Sequence, residues 1–271
     1  MSPVDTVPPA AQLTPPSRSL AQRAPDALVW GAVIVLLILA FGPVEMRNFS
    51  RLFTNAENMR IYGRQLLDPE WGNLGIYVRQ MWLTIQIAIW GTFLAIIVAI
   101  PFGLACSRNI APVWLQQPMR LLMNLLRSIP DLVIGTIFLV AVGLGPFAGV
   151  MALAISTAGV LAKLFSEAVE SIDKGPVEGV RATGASRLQE IVWGVIPQVA
   201  PLWTSYALYR FESNSRSATV LGLIGAGGIG QVLFESLNAF NYGELSAIVI
   251  VIVVAVSLID LLSQAMRSRL L

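Results

Sequence analysis

"LGLIGAGGIGQVLFES", residues 221–236, carries Gly225-Ala226-Gly227-Gly228-Ile229-Gly230 and matches the dinucleotide pattern G-x-G-x-x-G letter for letter. In a nucleotide-binding fold these glycines form the tight turn that brings a pyrophosphate to a helix N-terminus. The pattern has that meaning only with a strand before it, a helix after it and a complete β-α-β unit around it. Locally the match extends further: "ATVLGLI" (218–224) has the composition of a strand and "QVLFESLNAF" (231–240) that of a helix. Glu244 follows Gly225 by about 20 residues, where a ribose-binding acid is expected. The surrounding chain has to discriminate.

Of the 271 residues, 55% are hydrophobic and 13% charged, against roughly 25% charged in an ordinary soluble domain. The apolar runs are too long and too evenly spread for two soluble domains and call for lipid as solvent. The chain has no histidine and one cysteine, Cys106. That removes Ser-His and Cys-His nucleophile pairs, disulfide frameworks and nearly all zinc sites. A formal net charge of +2 points to no nucleic-acid partner. Residues 1–26, rich in Pro, Ala and Ser, are expected to form a disordered cytoplasmic tail, followed by a single membrane domain over residues 27–271.

About 20 apolar residues at 1.5 Å rise cross a hydrocarbon core of about 30 Å. Six transmembrane helices are expected on that basis: Ala27–Val44, Met81–Cys106, Pro130–Gly145, Phe147–Phe165, Gln198–Phe211 and Ser246–Leu262. A basic link with Arg47, Arg51, Arg60 and Arg64 separates the first two, and an interfacial helix is expected there. With both termini in the cytoplasm, eleven Lys and Arg face inward and seven outward, the better of the two orientations under the positive-inside rule. The glycine-rich stretch then lies between the fifth and sixth spans on the outer side. A span follows it where a nucleotide fold needs a parallel strand, so the glycines are read as permitting close packing and positive-φ turns in a partly embedded segment.

Crossing a membrane does not require the polar loop of about residues 166–197, "SEAVESIDKGPVEGVRATGASRLQEIVWGVIP". Gly175 is expected to stop one helix, with Pro176 in the first turn of the next. Gly184 breaks that second helix, and Ser186 with Gln189 forms a capping-box pattern opening a third. There Leu188, Ile191, Val192 and Val195 share one face, and Pro197 is expected to end it. Such a helix-Gly-helix either packs on the chain's own span ends or docks in a groove of another protein.

Glu178, Gly184 six residues on, and Ile196-Pro197 resemble the "EAA" signature of the permeases of bacterial ATP-binding-cassette importers. Gly179 and Val180 stand where that signature usually has two alanines, followed by Arg181 and Ala182, and Gly194 replaces a common aliphatic residue. From about Met81 onward, "LRSIPDLVIGTIFLVAVGLGPFAG", "SEAVESIDKGPVEGVRATGA" and "YRFESNSRSATVLGLIGAGGIG" are similar to the permease subunit of phosphonate importers, and methionine importers carry a similar "GAGGIG". The resemblance implies an all-α type I importer permease of MetI-like architecture in the bacterial inner membrane. It further implies a second copy forming a homodimer and an extracytoplasmic phosphonate-binding protein. Two ATPase subunits would dock on the loop and hold the ATP and Mg; the chain itself would bind no cofactor and be no enzyme. It contains no G-x-x-x-x-G-K-[ST] motif.

Arg210, Glu212, Asn214 and Arg216 are expected at the outer end of the fifth span, either as an oxyanion gate or as a snorkelling interfacial cluster. Arg127 and Asp131 are expected to pair at the start of the third span with Ser128 as N-cap, Asp260 to bond Gln264 or a neighbouring helix, and Ala154, Ala158 and Ala162 to form a packing stripe or dimer surface. An ion-coupled secondary transporter is the alternative function. It predicts paired intramembrane acids and leaves the polar loop unexplained.

Overall fold

A computed structural model describes residues 20–269; residues 1–19 of the expected tail lie outside the described residues, and residues 20–26 are helical. All regular structure among the described residues is helical. The chain divides into two compact units, one ending at Ile61 and the other beginning at Tyr62. In the first, α1 (Leu20–Phe41) starts ahead of the expected Ala27, and α2 (Arg51–Thr54) and α3 (Ala56–Leu66) follow, α3 running into the second unit and supplying a helix within the basic link.

In the second unit α4 (Leu74–Cys106), α7 (Pro146–Glu170) and α12 (Tyr242–Arg267) are long and apolar enough to cross a membrane. Two further candidates are bent: α5 (Val113–Ser128) meets α6 (Asp131–Val142) at 88°, and the helical run 187–226 meets α11 (Ile229–Asn238) at 58°. By length and composition this gives three spans, or five if each bent pair counts once, rather than six. The first expected span falls mostly within α1, whose 22 residues rise about 33 Å, and is not among these five. The break before α6 falls at Ile129, which is extended (ψ 125°) ahead of Pro130, as steric clash with a following proline requires. Ser128 therefore ends α5, its hydroxyl donating to the Leu125 carbonyl at 2.8 Å, instead of capping α6. No ion pair joins Arg127 to Asp131 among the described residues.

Small residues let α4 and α7 approach closely. A Cβ on Gly91 would lie 2.7 Å from Leu153 Cβ, and one on Gly103 2.8 Å from Phe165 Cβ. Ala154, Ala158 and Ala162 are buried within the same bundle, so their stripe is internal packing and not a dimer surface. Between lipid-facing helices, where lipid tails remove most of the hydrophobic drive, such close contact supplies the attraction. Lower in the bundle Phe165 stacks on Trp203 with ring centroids 4.5 Å apart.

The fifth expected span falls in α10 (Ile196–Leu221), which runs ten residues beyond the expected end at Phe211 and continues through the glycine-rich stretch into α11. Gly225, Gly227 and Gly228 take φ of 104°, 77° and 76°, and residues 226–230 are buried. A Cβ on Gly228 would fall 2.3 Å from Thr84 Oγ1, and one on Gly230 1.9 Å from the Thr219 carbonyl oxygen. The Ile229 N–H at the start of α11 donates to Thr84 Oγ1 at 2.9 Å. With no strand among the described residues and the helix start filled by a threonine, the segment is a packed re-entrant turn and not a pyrophosphate cradle.

Candidate functional site

The polar loop folds into a hairpin projecting from the α7 and α10 ends. α7 ends at Glu170, and α8 (Lys174–Ala182) is capped by Asp173, whose carboxylate accepts from Gly175 N at 3.0 Å. The stop expected at Gly175 thus falls at residues 171–173, because Asp173 supplies the acceptor a helix start needs. Gly184 closes α8 as expected, with φ 81° and its N–H donating to the Arg181 carbonyl at 3.0 Å. Ser186 and Gln189 form the capping box that opens α9 (Arg187–Gln189).

The third helix does not end at Pro197. α9 passes through π-helical turns at Glu190–Val195 straight into α10, leaving Pro197 in the first turn of that helix. Proline has no N–H to donate to an i−4 carbonyl, and wider turns just before it accommodate the gap. They also shift the helical phase, which splits the expected apolar face: Val195 is 3% exposed but Leu188 is 70% exposed.

The hairpin is clamped at its base and open at its tip. Glu170 accepts from the Arg108 N–H at 2.8 Å and pairs with Arg120, while Gln198 bonds the Asp173 backbone at 3.1 and 3.2 Å. At the tip Glu178, Gly179, Arg181, Ala182 and Gly184 are exposed, Val180 and Ile196 half-buried and Pro197 exposed. No atom lies within 4 Å of where a Cβ would stand on Gly179 or Gly184. Pro176, Gly179, Val180, Gly184, Gln189 and Trp193 line a shallow groove of about 660 Å³.

Arg181 and Glu190 brace the two arms through a bidentate pair, with Nε to Oε1 and Nη2 to Oε2 both 2.9 Å. These hydrogen bonds, more than the charges alone, hold the Glu190 carboxyl below its usual range and raise the Arg181 guanidinium. Glu190 was not anticipated, since its link to Arg181 requires the hairpin to be closed.

The cluster on α10 is real, but its place is different. Asn214 is fully buried, donating from Nδ2 to Thr92 Oγ1 at 2.8 Å and accepting at Oδ1 from Thr157 Oγ1 at 2.9 Å, near the middle of α4 and α7. Arg216 pairs with Glu212 at 3.1 Å and Asp260 at 3.2 Å, and Glu212 also pairs with Arg267 at 3.2 Å. Asp260 therefore bonds across to α10 instead of to Gln264. Because Asp260 and Arg267 lie toward the C-terminal end of α12, Glu212 and Arg216 sit beside that end, with Arg216 and Asp260 partly exposed. Charge compensation between helices lets α10 continue where its sequence alone suggested a stop. Thr92 and Thr157 went unnoticed because a threonine hydroxyl can bond its own i−4 carbonyl, as Thr92 does with Ala88 at 2.7 Å, and so is unremarkable within an apolar helix.

Residues 91–270 match the family model described as the binding-protein-dependent transport system inner membrane component, and the chain belongs to that family. It is thus a non-enzymatic, multi-pass inner-membrane permease subunit of an ABC transporter, a class that works with separate ATPase and substrate-binding proteins. The chain is 36% identical over 244 residues to the phosphite transport system permease protein PtxC of Stutzerimonas stutzeri, covering 90% of this chain and 87% of that protein. It is 38% identical over 245 residues to the phosphate-import permease protein PhnE of Mycolicibacterium smegmatis, covering 90% of this chain and 45% of that longer protein. Its fold is similar to a chain of the MetNI methionine ABC transporter in an inward-facing conformation, with TM-score 0.67 at 23% identity over 74% of this chain and 99% of that one.

Proposed function

We propose that the chain lines half of a path for ATP-driven import of phosphonate or the related oxyanions phosphite and phosphate. It pairs with a second copy of itself, and the homodimer works with two ATPase subunits and an extracytoplasmic phosphonate-binding protein. The relatives named for phosphite and phosphate transport support the substrate class. Both termini face the cytoplasm, α1 supplies a sixth span, and ATP and Mg stay on the ATPase subunits. Arg210, Glu212, Asn214 and Arg216 belong to the polar wall of the path, since charged groups at that depth need a cavity or a partner.

The observation that carries the coupling role is the hairpin tip. Glu178, Gly179 and Gly184 are exposed with open space around both glycines, while the base is tied to α5 and α10. Such a surface is free for a partner and its motion is fixed to the spans. The Cβ of a Gly179→Leu variant has open space around it, and its side chain occupies the groove. In proteoliposomes holding the whole transporter, it is expected to abolish methylphosphonate uptake and the ATP hydrolysis stimulated by loaded binding protein, with the fold intact. Coupled uptake by this variant refutes docking at the tip. Uptake by the membrane subunit alone identifies an ion-coupled secondary transporter instead. One copy of this chain beside a related permease in the purified complex refutes the homodimer.

A further inference from the structure

The cations of the polar cluster are not equivalent. Arg216 is held between Glu212 and Asp260, and Arg267 is held by Glu212, so two guanidinium groups and two carboxylates close on one another. Arg210 has no carboxylate within ion-pair distance among the described residues. Its bonds are two long ones from Nη2, to Thr157 Oγ1 at 3.4 Å and Asn214 Oδ1 at 3.5 Å, and its Nε is buried without a partner. A guanidinium carries five N–H donors and accepts nothing, and the buried Nε–H among them is unfilled.

The neighbours of Arg210 cannot satisfy it better. Asn214 Oδ1 accepts its shorter bond from Thr157 and only the 3.5 Å one from Arg210, and Asn214 Nδ2 donates to Thr92. The chain Thr157 to Asn214 to Thr92 to the Ala88 carbonyl is complete in itself. It fixes the floor on which Arg210 rests without neutralising it. The charge of Asp131 reaches Arg210, and Asp131 lines a cleft of about 350 Å³ with Ser213, Arg216 and Ser217. A half-buried cation without a paired carboxylate is expensive, and such residues mark ion or substrate routes.

From this imbalance, and resting on the oxyanion substrate proposed above, we infer that Arg210 is the residue that contacts the anion in transit, whereas Arg216 is held as a structural counter-ion. Arginine's planar fork matches two oxygens of a tetrahedral phosphorus oxyanion. Asp131 weakens the hold by repulsion, which suits a path: a stop along it must attract enough to admit the ion and too little to retain it.

The test uses the complete transporter in proteoliposomes, with methylphosphonate, phosphite and phosphate as probes, and reads three quantities: uptake, ATP hydrolysis stimulated by loaded binding protein, and assembly by gel filtration. R210Q is expected to assemble and hydrolyse ATP within about twofold of the unmodified protein while uptake falls by about tenfold or more, and R210K to recover part of that loss. Unchanged uptake in R210Q overturns the inference and leaves the substrate proposal standing. So does failure of both R210Q and R210K to assemble, which assigns Arg210 to structure. An unmodified complex that is stimulated by binding protein yet imports none of the three anions overturns the substrate proposal, and the inference with it.

Discussion

Two regions of this permease are punctuated by glycine for opposite reasons. In the hairpin, Gly179 and Gly184 have empty space where a side chain would be. In the re-entrant turn, Gly222, Gly228 and Gly230 have other atoms of the protein there: the Gly227 carbonyl oxygen at 2.7 Å, Thr84 Oγ1 at 2.3 Å and the Thr219 carbonyl oxygen at 1.9 Å from the respective Cβ positions. The turn is thus a piece of the core, and its glycines are a condition of folding. The hairpin is an outward surface whose glycines serve the shape of the tip and whatever meets it. Both stretches are rich in glycine, and the surroundings tell the two roles apart.

Gly230→Ala tests the contrast most severely. The added methyl meets backbone, which has little freedom to retreat, and a loss of about 3 kcal/mol or more is expected. Thermal unfolding in detergent should show a large fall in Tm, and a Tm near that of the unmodified protein would mean the turn is less tightly packed than described. Gly184→Ala should cost about 1 kcal/mol, because the penalty there is confined to its left-handed φ of 81°. Faster hydrogen exchange over residues 180–190 with an unchanged global Tm is the expected signature. Global destabilisation would make the hairpin part of the core after all.

The smallest effect concerns the Arg181 and Glu190 brace. Glu190 has a depressed carboxyl pKa in the folded hairpin. Its contribution is therefore fully present above the ordinary glutamate value, about 4.3, and is lost as pH falls through the lower folded value. Arg181, raised in the fold, works in the other sense: its share is lost only as pH climbs through a value above the ordinary arginine range. Hydrogen-exchange protection of the hairpin should be flat from neutral pH down to about 4.3 and decline below it, with Glu190→Gln removing the decline. Arg181 is exposed to solvent, so added salt should shrink the effect.

What the sequence disclosed, it disclosed through local chemistry. Gly184 as a helix stop and Ser186 with Gln189 as a start are decided within a few residues, and both are where they were expected. Pro197 misled because a proline normally ends a helix, whereas here π turns carry the chain past it. The bonding of Arg210, Glu212, Asn214 and Arg216 was hidden for another reason. Their partners Thr92, Thr157, Asp260 and Arg267 lie on three other helices, and only packing brings them within reach. A run of charges reads as an interface until its counter-charges are found.

The unbroken passage from α9 through Glu190–Val195 into α10 has a consequence for how force travels. A loop at that junction would act as a joint and absorb displacement, but a continuous rod acts as a lever. Arg210 lies about 21 Å up that rod from Ile196 at the α-helical rise, so a tilt of about 10° about its foot moves Arg210 sideways by nearly 4 Å. Displacements too small to break any bond at the foot are thereby geared up to roughly the length of one hydrogen bond at the level of Arg210.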